Sequence, residues 1–368
     1  MTIALHGSYF RYNFGDTLLC RLFCHWVHQA SGGEDVVLPI ADELNRKLIG
    51  AEKRGVLKTA SARALLFCGG GYFSEPSGDL NRWSIRAYLR HIWLAEAAMT
   101  RNVPYAIIGV GAGPLTVPWL RERVRRVFEN AVSVVVRDQE SYDFLRGLGV
   151  ERPVVIATDA VLSLTPNAWS EDAEIVALSD RIHASGRRML VVHTNCQPSP
   201  KEFAAVEAAA QWVSTRPDVH VVFADDSVSR RKVTWPATLQ AKFPSLAERS
   251  SVFAYDGQPD RLITLLKKAD GIVTTKLHVG IVGSVLERPV ISAPKHSKTP
   301  RFYRQIGLQD QCITTGDGWA AQLVSRLEIW GAGSPPDFSV MKKVIASFSY
   351  VDAIGAFLQG SDNGASRT

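Results

Sequence analysis

Residues 274–278, Thr-Thr-Lys-Leu-His, place a primary amine and an imidazole two positions apart at the front of an otherwise apolar run that continues to Ser292. A charge in such a run is costly unless something compensates it. Gly271–Thr274 reads as a strand, Thr274 or Thr275 as a helix N-cap, and Lys276 as the start of a helix with His278 in its first turn. The unpaired amides and dipole of a helix start favour an anion. Lys276 adds a point charge, and His278 can donate a hydrogen bond or a proton. Leu277, Ile281 and Val285 form the apolar stripe of this helix. Gly280 and Gly283 lie on the Lys276 side, where a backbone or a ligand could come close. A lone first-turn histidine is more often structural; beside a lysine, at a strand's carboxyl end, the balance shifts to an anion site.

Other residues qualify on the same criterion. Gly69, Gly70 and Gly71 follow a strand, so their amides could face an anion, or they could simply form a turn that needs positive φ. Arg137 and Asp138 end another strand: the guanidinium could grip a carboxylate or phosphate with its two-pronged fork, or form an Arg–Asp pair at the sheet rim. Asp159 ends the next strand and could orient a loop. Asp16 lies between the first strand and its helix, where a helix N-cap is the simplest reading. Lys295–Arg301, with Lys298 inside it, is a basic loop placed to bind an anion. Gly109–Gly113 lacks the third glycine and the later acidic residue of a dinucleotide loop. Cys20, Cys24 and His28 span about 12 Å of helix, too far for one metal with ligands about 2 Å away, so no metal site is expected.

The first half of the chain repeats short apolar run, turn, then helix. The runs are 2–6, 64–68, 105–110, 132–136 and 153–157, with helices over 16–30, 83–101, 118–130 and 139–148. Runs apolar throughout and alternating with helices indicate parallel sheets covered on both faces. The pattern pauses in the polar stretch 165–185 and restarts with strands at 189–193, 219–224, 251–255, 271–274 and 289–293, between helices at 200–215 and 259–269. A last helix spans 339–359, with a frayed tail after it. The expected fold is α/β, with two doubly wound Rossmann-like domains facing a cleft: residues 1–168, residues 169–335, then a C-terminal helix and tail over 336–368. Ligands of such sheets sit at the strands' carboxyl ends.

The 368 residues suit two domains. With 46% hydrophobic and 21% charged residues the chain is globular, and its formal charge of +6 suits anionic partners. It carries no nucleic-acid reader motif, no apolar stretch of bilayer-spanning length and no secretory signal. Five cysteines do not make a disulfide framework. The expectation is a reduced, cytoplasmic protein.

The order and spacing of these pieces resemble the polysaccharide pyruvyl transferase family. The matching blocks run from Phe14 to Leu308: Gly15-Asp16-Thr17-Leu18, Gly69-Gly70-Gly71, Ile108–Leu115, Val136–Ser141, Thr158-Asp159-Ala160, Lys276-Leu277-His278, Arg288-Pro289-Val290, and Lys295–Thr299 with Phe302-Tyr303. Ala160 and Ser297 depart from the family's usual residues. The resemblance implies a GT-B-like fold and transfer of the enolpyruvyl carbons of phosphoenolpyruvate onto two hydroxyls of a sugar, giving a pyruvate ketal in exopolysaccharide or cell-surface glycan synthesis. It assigns Lys276, Leu277 and His278 to a donor motif and Arg137 to a second anion position, without a cofactor. His278 is then the general acid, and Asp16 or Asp159 the base. A lipid-linked acceptor at the membrane's inner face would make the basic helix Arg121–Arg126 a membrane contact. Two rivals stand beside this reading, a GT-B glycosyltransferase using a nucleotide sugar and a non-catalytic scaffold of an assembly complex.

Overall fold

The computed structural model describes residues 2–10, 12–51, 53–54, 61–76, 78–195, 198–228, 233–293, 298–313 and 318–365. The chain forms two compact units.

Unit 1 comprises residues 1–11, 16–163 and 346–368. Its strands are β1 (Thr2–His6), β2 (Asp35–Leu38), β3 (Lys53–Arg54), β4 (Ala64–Phe67), β5 (Gly70–Phe73), β6 (Tyr105–Ala112), β7 (Ser133–Val136) and β8 (Val155–Ile156). They form one parallel sheet in the order β3-β2-β1-β4-β6-β7-β8, with β5 on β6. Every residue of β4 and β6 is buried, which is why these runs show no alternation: both faces are covered. The covering helices are α1 (Phe14–Ser31), α2 (Glu43–Ile49), α3 (Leu80–Ala87), α4 (Trp93–Thr100), α5 (Pro118–Asn130) and α6 (Gln139–Gly147), with a π-helical turn, Tyr88–Ile92, joining α3 to α4. Phe67, Phe73, Tyr105, Ile107, Phe128 and Val136 fill the core beneath them.

Unit 2 comprises residues 12–15 and 164–345. Its five parallel strands are β9 (Arg188–Thr194), β10 (Val219–Asp225), β11 (Ser250–Phe253), β12 (Gly271–Thr274) and β13 (Val290–Ser292), ordered β11-β10-β9-β12-β13. The helices are α7 (Ala173–Ala184), α8 (Pro200–Ser214), α9 (Trp235–Lys242), α10 (Pro259–Lys268), α11 (Leu277–Val285), α12 (Lys298–Gln305), α13 (Trp319–Gly331) and α14 (Ser339–Ala346). Val192, Val221, Phe223, Trp212, Leu327 and Trp330 lie in its core.

Three sequence expectations change. The polar stretch 165–185 contains α7, capped by Asp172, whose carboxylate accepts from the Ile175 amide at 3.0 Å. Only Ile175, Ser179 and Ile182 of this helix are buried, so its apolar signal is thin. The boundary accordingly falls after Ser163 rather than Ala168. The last helix is two, α14 and α15 (Tyr350–Ala365), and α15 packs in unit 1, continuing through most of the residues expected to fray. Its Tyr350 ring stacks on Trp26 with centroids 5.3 Å apart, and its hydroxyl donates to the Thr158 carbonyl. Gly109 lies beneath that ring at φ +78, where a Cβ would come within 3.0 Å of it.

Among the described residues no helix is long and apolar enough to cross a membrane.

Candidate active site

In unit 2 the chain leaves β9 for β10 on one side and returns to β12 on the other, which makes the β9/β12 carboxyl ends the switch point of the sheet. His193 and Thr274 stand opposite each other there and are hydrogen-bonded, Nδ1 to Oγ1, at 3.0 Å. Thr274 Oγ1 also accepts from the Lys276 amide at 3.1 Å. This hydroxyl–backbone turn moves the helix start by one residue. Lys276 itself occupies the N-cap position, in extended geometry and without a side-chain cap, and α11 begins at Leu277. Leu277 is a buried core residue and His278 is half-buried in the first turn.

Lys276 has an acidic partner that the sequence reading did not select. Its Nζ lies 3.7 Å from Oδ2 of Asp226, which follows the end of β10 and is buried. Asp225, the preceding residue, is 1% exposed and accepts the Tyr255 amide at 2.8 Å. Burial pushes its carboxyl up to about 7, the Tyr255 amide opposes the shift, and the Asp226 charge adds to it. His193 is held low, at about 4, chiefly by burial; Lys276 lowers it further, while Asp226 and Glu202 pull the other way. Its Nε2 has no partner among the described residues. Glu202, buried within the capping box of α8, accepts from Thr275 at 3.4 Å. Each of these groups ends a strand or begins a helix. The strand-end rule could have found His193, Asp225 and Asp226, since both runs were read from the sequence; Glu202 is visible there only as a helix cap.

Residues 12–15 belong to this site despite lying some 260 positions upstream. Asn13 bridges Ser227, the Phe14 amide donates to the Asp226 carbonyl at 2.8 Å, and the Phe14 ring meets Tyr255 edge-on. Gly15 is thereby set against His278. A Cβ at position 15 would fall 1.9 Å from the imidazole Nδ1, so any other residue there would force the imidazole to move. Gly280 and Gly283 admit protein rather than a ligand: a Cβ at Gly280 would strike the Tyr303 hydroxyl at 2.4 Å, and one at Gly283 would strike Ile272 and Val290 at 2.8 Å. Lys298 is exposed in the first turn of α12. That helix replaces the loop expected over its residues, while Lys295, His296 and Ser297 lie outside the described residues.

The remaining candidates lie in unit 1. Arg137 is 7% exposed, donates to Asp159 Oδ2 at 3.1 Å and has Asp138 Oδ2 at 3.6 Å. Its guanidinium lies over Gly111, where a Cβ would be 2.8 Å away, and within 3.7 Å of the Cβ position of Gly71. Asp159 also accepts from the Val161 amide at 3.1 Å. Arg137 is thus paired with Asp159, with Asp138 beside it, at the end of its strand. Gly69 packs against Leu19 and the Gly109 carbonyl, and Gly70, at φ +134, opens strand β5. The triple glycine is thus a strand entry, in which Gly70 is the residue that needs the conformation, rather than a loop before a helix. Asp16 sits in the first turn of α1, two residues past its start, and so is not the N-cap. Cys20 and Cys24 are buried on α1, and no group of three or more His, Cys, Asp or Glu among the described residues could hold a metal ion.

The family model for polysaccharide pyruvyl transferases matches residues 13–293, well over half of the chain. The chain belongs to the polysaccharide pyruvyl transferase family. The match opens at the segment that sets Gly15 against His278 and closes just after β13, taking in every candidate residue except Lys298. Solved structures share the fold of this pyruvyl transferase family member at low identity. A UDP-N-acetylglucosamine 2-epimerase from Listeria monocytogenes, itself described as putative, aligns over 100% of this chain and 97% of its own, with TM-score 0.65 and 10% identity. The Neisseria meningitidis UDP-GlcNAc 2-epimerase bound to UDP-GlcNAc covers 100% of both chains, with TM-score 0.60 and 10% identity. Anabaena HepE in complex with UDP-glucose covers 100% and 99%, with TM-score 0.57 and 12% identity. These likenesses establish an α/β, GT-B-like fold with two parallel, Rossmann-like sheets. No curated protein matches the chain in sequence.

Proposed function

We propose that the protein transfers the enolpyruvyl carbons of phosphoenolpyruvate to two hydroxyls of a saccharide, forming a pyruvate ketal in cell-surface glycan synthesis on the cytoplasmic side. The observation that carries the reading is the Lys276-Leu277-His278 junction, with a cation at a helix start and an imidazole within its first turn, in a chain of this family. Phosphoenolpyruvate is a small, densely charged anion, and the α11 amides with Lys276 supply the complementary donors. Asp226 holds the Lys276 side chain on the site while leaving it about one-third exposed.

His278, as general acid, delivers a proton to the methylene carbon, which becomes the methyl group. Carbon 2 acquires oxocarbenium character and is attacked by the first sugar oxygen. The C2–O bond to phosphate then breaks, phosphate leaving with the electron pair, and the second sugar oxygen closes the ketal. The two hydroxyl protons end on the methyl carbon and on phosphate, so no net acid or base is consumed. Asp16, next in the chain after Gly15, is the candidate base. Lys298 is proposed to contribute a further cation to the donor, and Arg137 with Asp159 and the glycines 69–71 to line the acceptor side. No cofactor enters this scheme.

Thermal-shift titration separates this donor from the nucleotide sugars that the structural relatives hold. Stabilisation by phosphoenolpyruvate, absent with UDP-glucose and lost in Lys276→Met, is expected; the reverse pattern overturns the proposal. His278→Ala should retain donor binding but release no phosphate from phosphoenolpyruvate in the presence of acceptor glycan.

A further inference from the structure

Three of the four arginines in the stretch 121–126 of α5 that the sequence offered to a membrane are engaged within the fold. Arg121 donates to the Leu115 carbonyl at 2.7 Å and lies over the Phe144 ring, Arg123 pairs with Glu96 at 2.6 Å, and Arg125 pairs with Glu122 at 2.7 Å. A neighbouring face of unit 1 has the opposite character. Arg82, Ile85, Arg86 and Leu89, spaced one helical turn apart along α3 and the π turn, all point outward. Ile85 is 56% and Leu89 58% exposed. Trp119, at the front of α5 and 43% exposed, meets the Tyr88 ring edge-on at 6.1 Å, which adds a third apolar side chain to the patch. Arg86 Nε donates to the Arg82 carbonyl at 3.2 Å, but neither Arg82 nor Arg86 is ion-paired among the described residues. The nearby carboxylates are occupied: Asp79 caps α3, Glu96 holds Tyr88 and Arg123, and Glu75 accepts from Thr116.

Exposed apolar side chains scattered singly need no explanation, but a group of them rimmed by unpaired cations does. We propose that this face seats on an anionic phospholipid surface. Ile85, Leu89 and Trp119 enter the headgroup–acyl boundary, where tryptophan is at home. The arginines lay their stems along the same apolar surface and extend their guanidinium groups to lipid phosphates. Three apolar side chains supply too little area for a stable protein interface, which buries about 800 Å² per partner, whereas at a bilayer each contribution adds to that of the charges. The attachment does not depend on the donor or the acceptor, but it brings the enzyme to the surface where a lipid-linked saccharide is presented.

Co-sedimentation of the full chain with vesicles tests this. Binding is expected to phosphatidylglycerol-rich vesicles, to be weak to pure phosphatidylcholine, and to fall with added salt. Arg82→Gln/Arg86→Gln should weaken it about 25-fold, at roughly fivefold per basic residue. Ile85→Ser/Leu89→Ser should weaken it at least about tenfold through lost apolar insertion, while Lys343→Gln, in unit 2, leaves it unchanged. All four side chains substituted in the double variants lie on the surface, so thermal unfolding should match the parent. Absence of vesicle binding, or binding indifferent to both double variants, overturns the proposal. So does a self-association in sedimentation that Ile85→Ser/Leu89→Ser abolishes, since the patch would then face a second copy.

Discussion

Asp225→Asn should flatten the pH dependence of stability above the acid range. The carboxyl titrates from 3.8 in the unfolded chain to about 7 in the fold, raised mainly by burial. The folded protein therefore keeps the proton over a range in which the unfolded chain has released it. The contribution of this group is fully present below the unfolded value and is lost as pH climbs through the folded one. Once both are passed, ionisation in the fold costs about 4 kcal/mol, at about 1.4 kcal/mol per unit. Between about pH 5 and about pH 8 the loss amounts to about 2.5 kcal/mol. Asparagine cannot ionise, and its oxygen can still accept the Tyr255 amide. Any penalty from its unpartnered NH₂, about 1–3 kcal/mol, is independent of pH and cancels when the two pH values are compared. Urea denaturation of parent and variant at matched pH should show Asp225→Asn gaining on the parent by that amount as pH rises. Asp226→Asn, which removes the adjacent negative charge, should move the parent's transition to lower pH. A parent–variant difference that stays constant across the range would refute the placement of Asp225 as a buried acid.

Gly15→Ala should abolish turnover as thoroughly as His278→Ala while leaving the circular dichroism spectrum native, because its methyl group would occupy the imidazole's place; near-normal turnover would show that His278 has room elsewhere. Tyr350→Phe should destabilise the fold by about 1–3 kcal/mol, since it leaves the buried Thr158 carbonyl without its donor. Calorimetry should register this as a lower Tm with phosphoenolpyruvate binding intact.

Much of the architecture could be read from the sequence because parallel strands buried on both faces announce themselves as unbroken apolar runs. β6 and β10, for example, are entirely buried. What escaped was what sits at the margins. α7 shows few apolar positions because it lies on the surface. β5 enters the sheet through glycines that look like a turn. Lys276 and His278 stood out as polar residues in apolar surroundings, a contrast that sequence displays directly. Asp226, Glu202 and His193 did not, because their significance lies in contacts between segments tens of residues apart, and a buried carboxylate looks the same in sequence as an exposed one. The Gly15–His278 contact is the extreme case: a glycine near a strand end is unremarkable until the imidazole above it is known.

The return of α15 to unit 1 also has a consequence for synthesis on the ribosome. Ile354, Phe357 and Leu358 are buried with Tyr350, and the Leu358 carbonyl receives Arg63 at 3.2 Å. A nascent chain that has completed residue 163 lacks all of them. It must hold the apolar surface around Phe23, Trp26 and Gly109 uncovered while about 180 further residues are made, roughly ten to forty seconds at the usual pace. The first half of this protein is therefore expected to depend on chaperones while unit 2 is made, and a chain truncated within unit 2 is expected to aggregate rather than act as a smaller working domain.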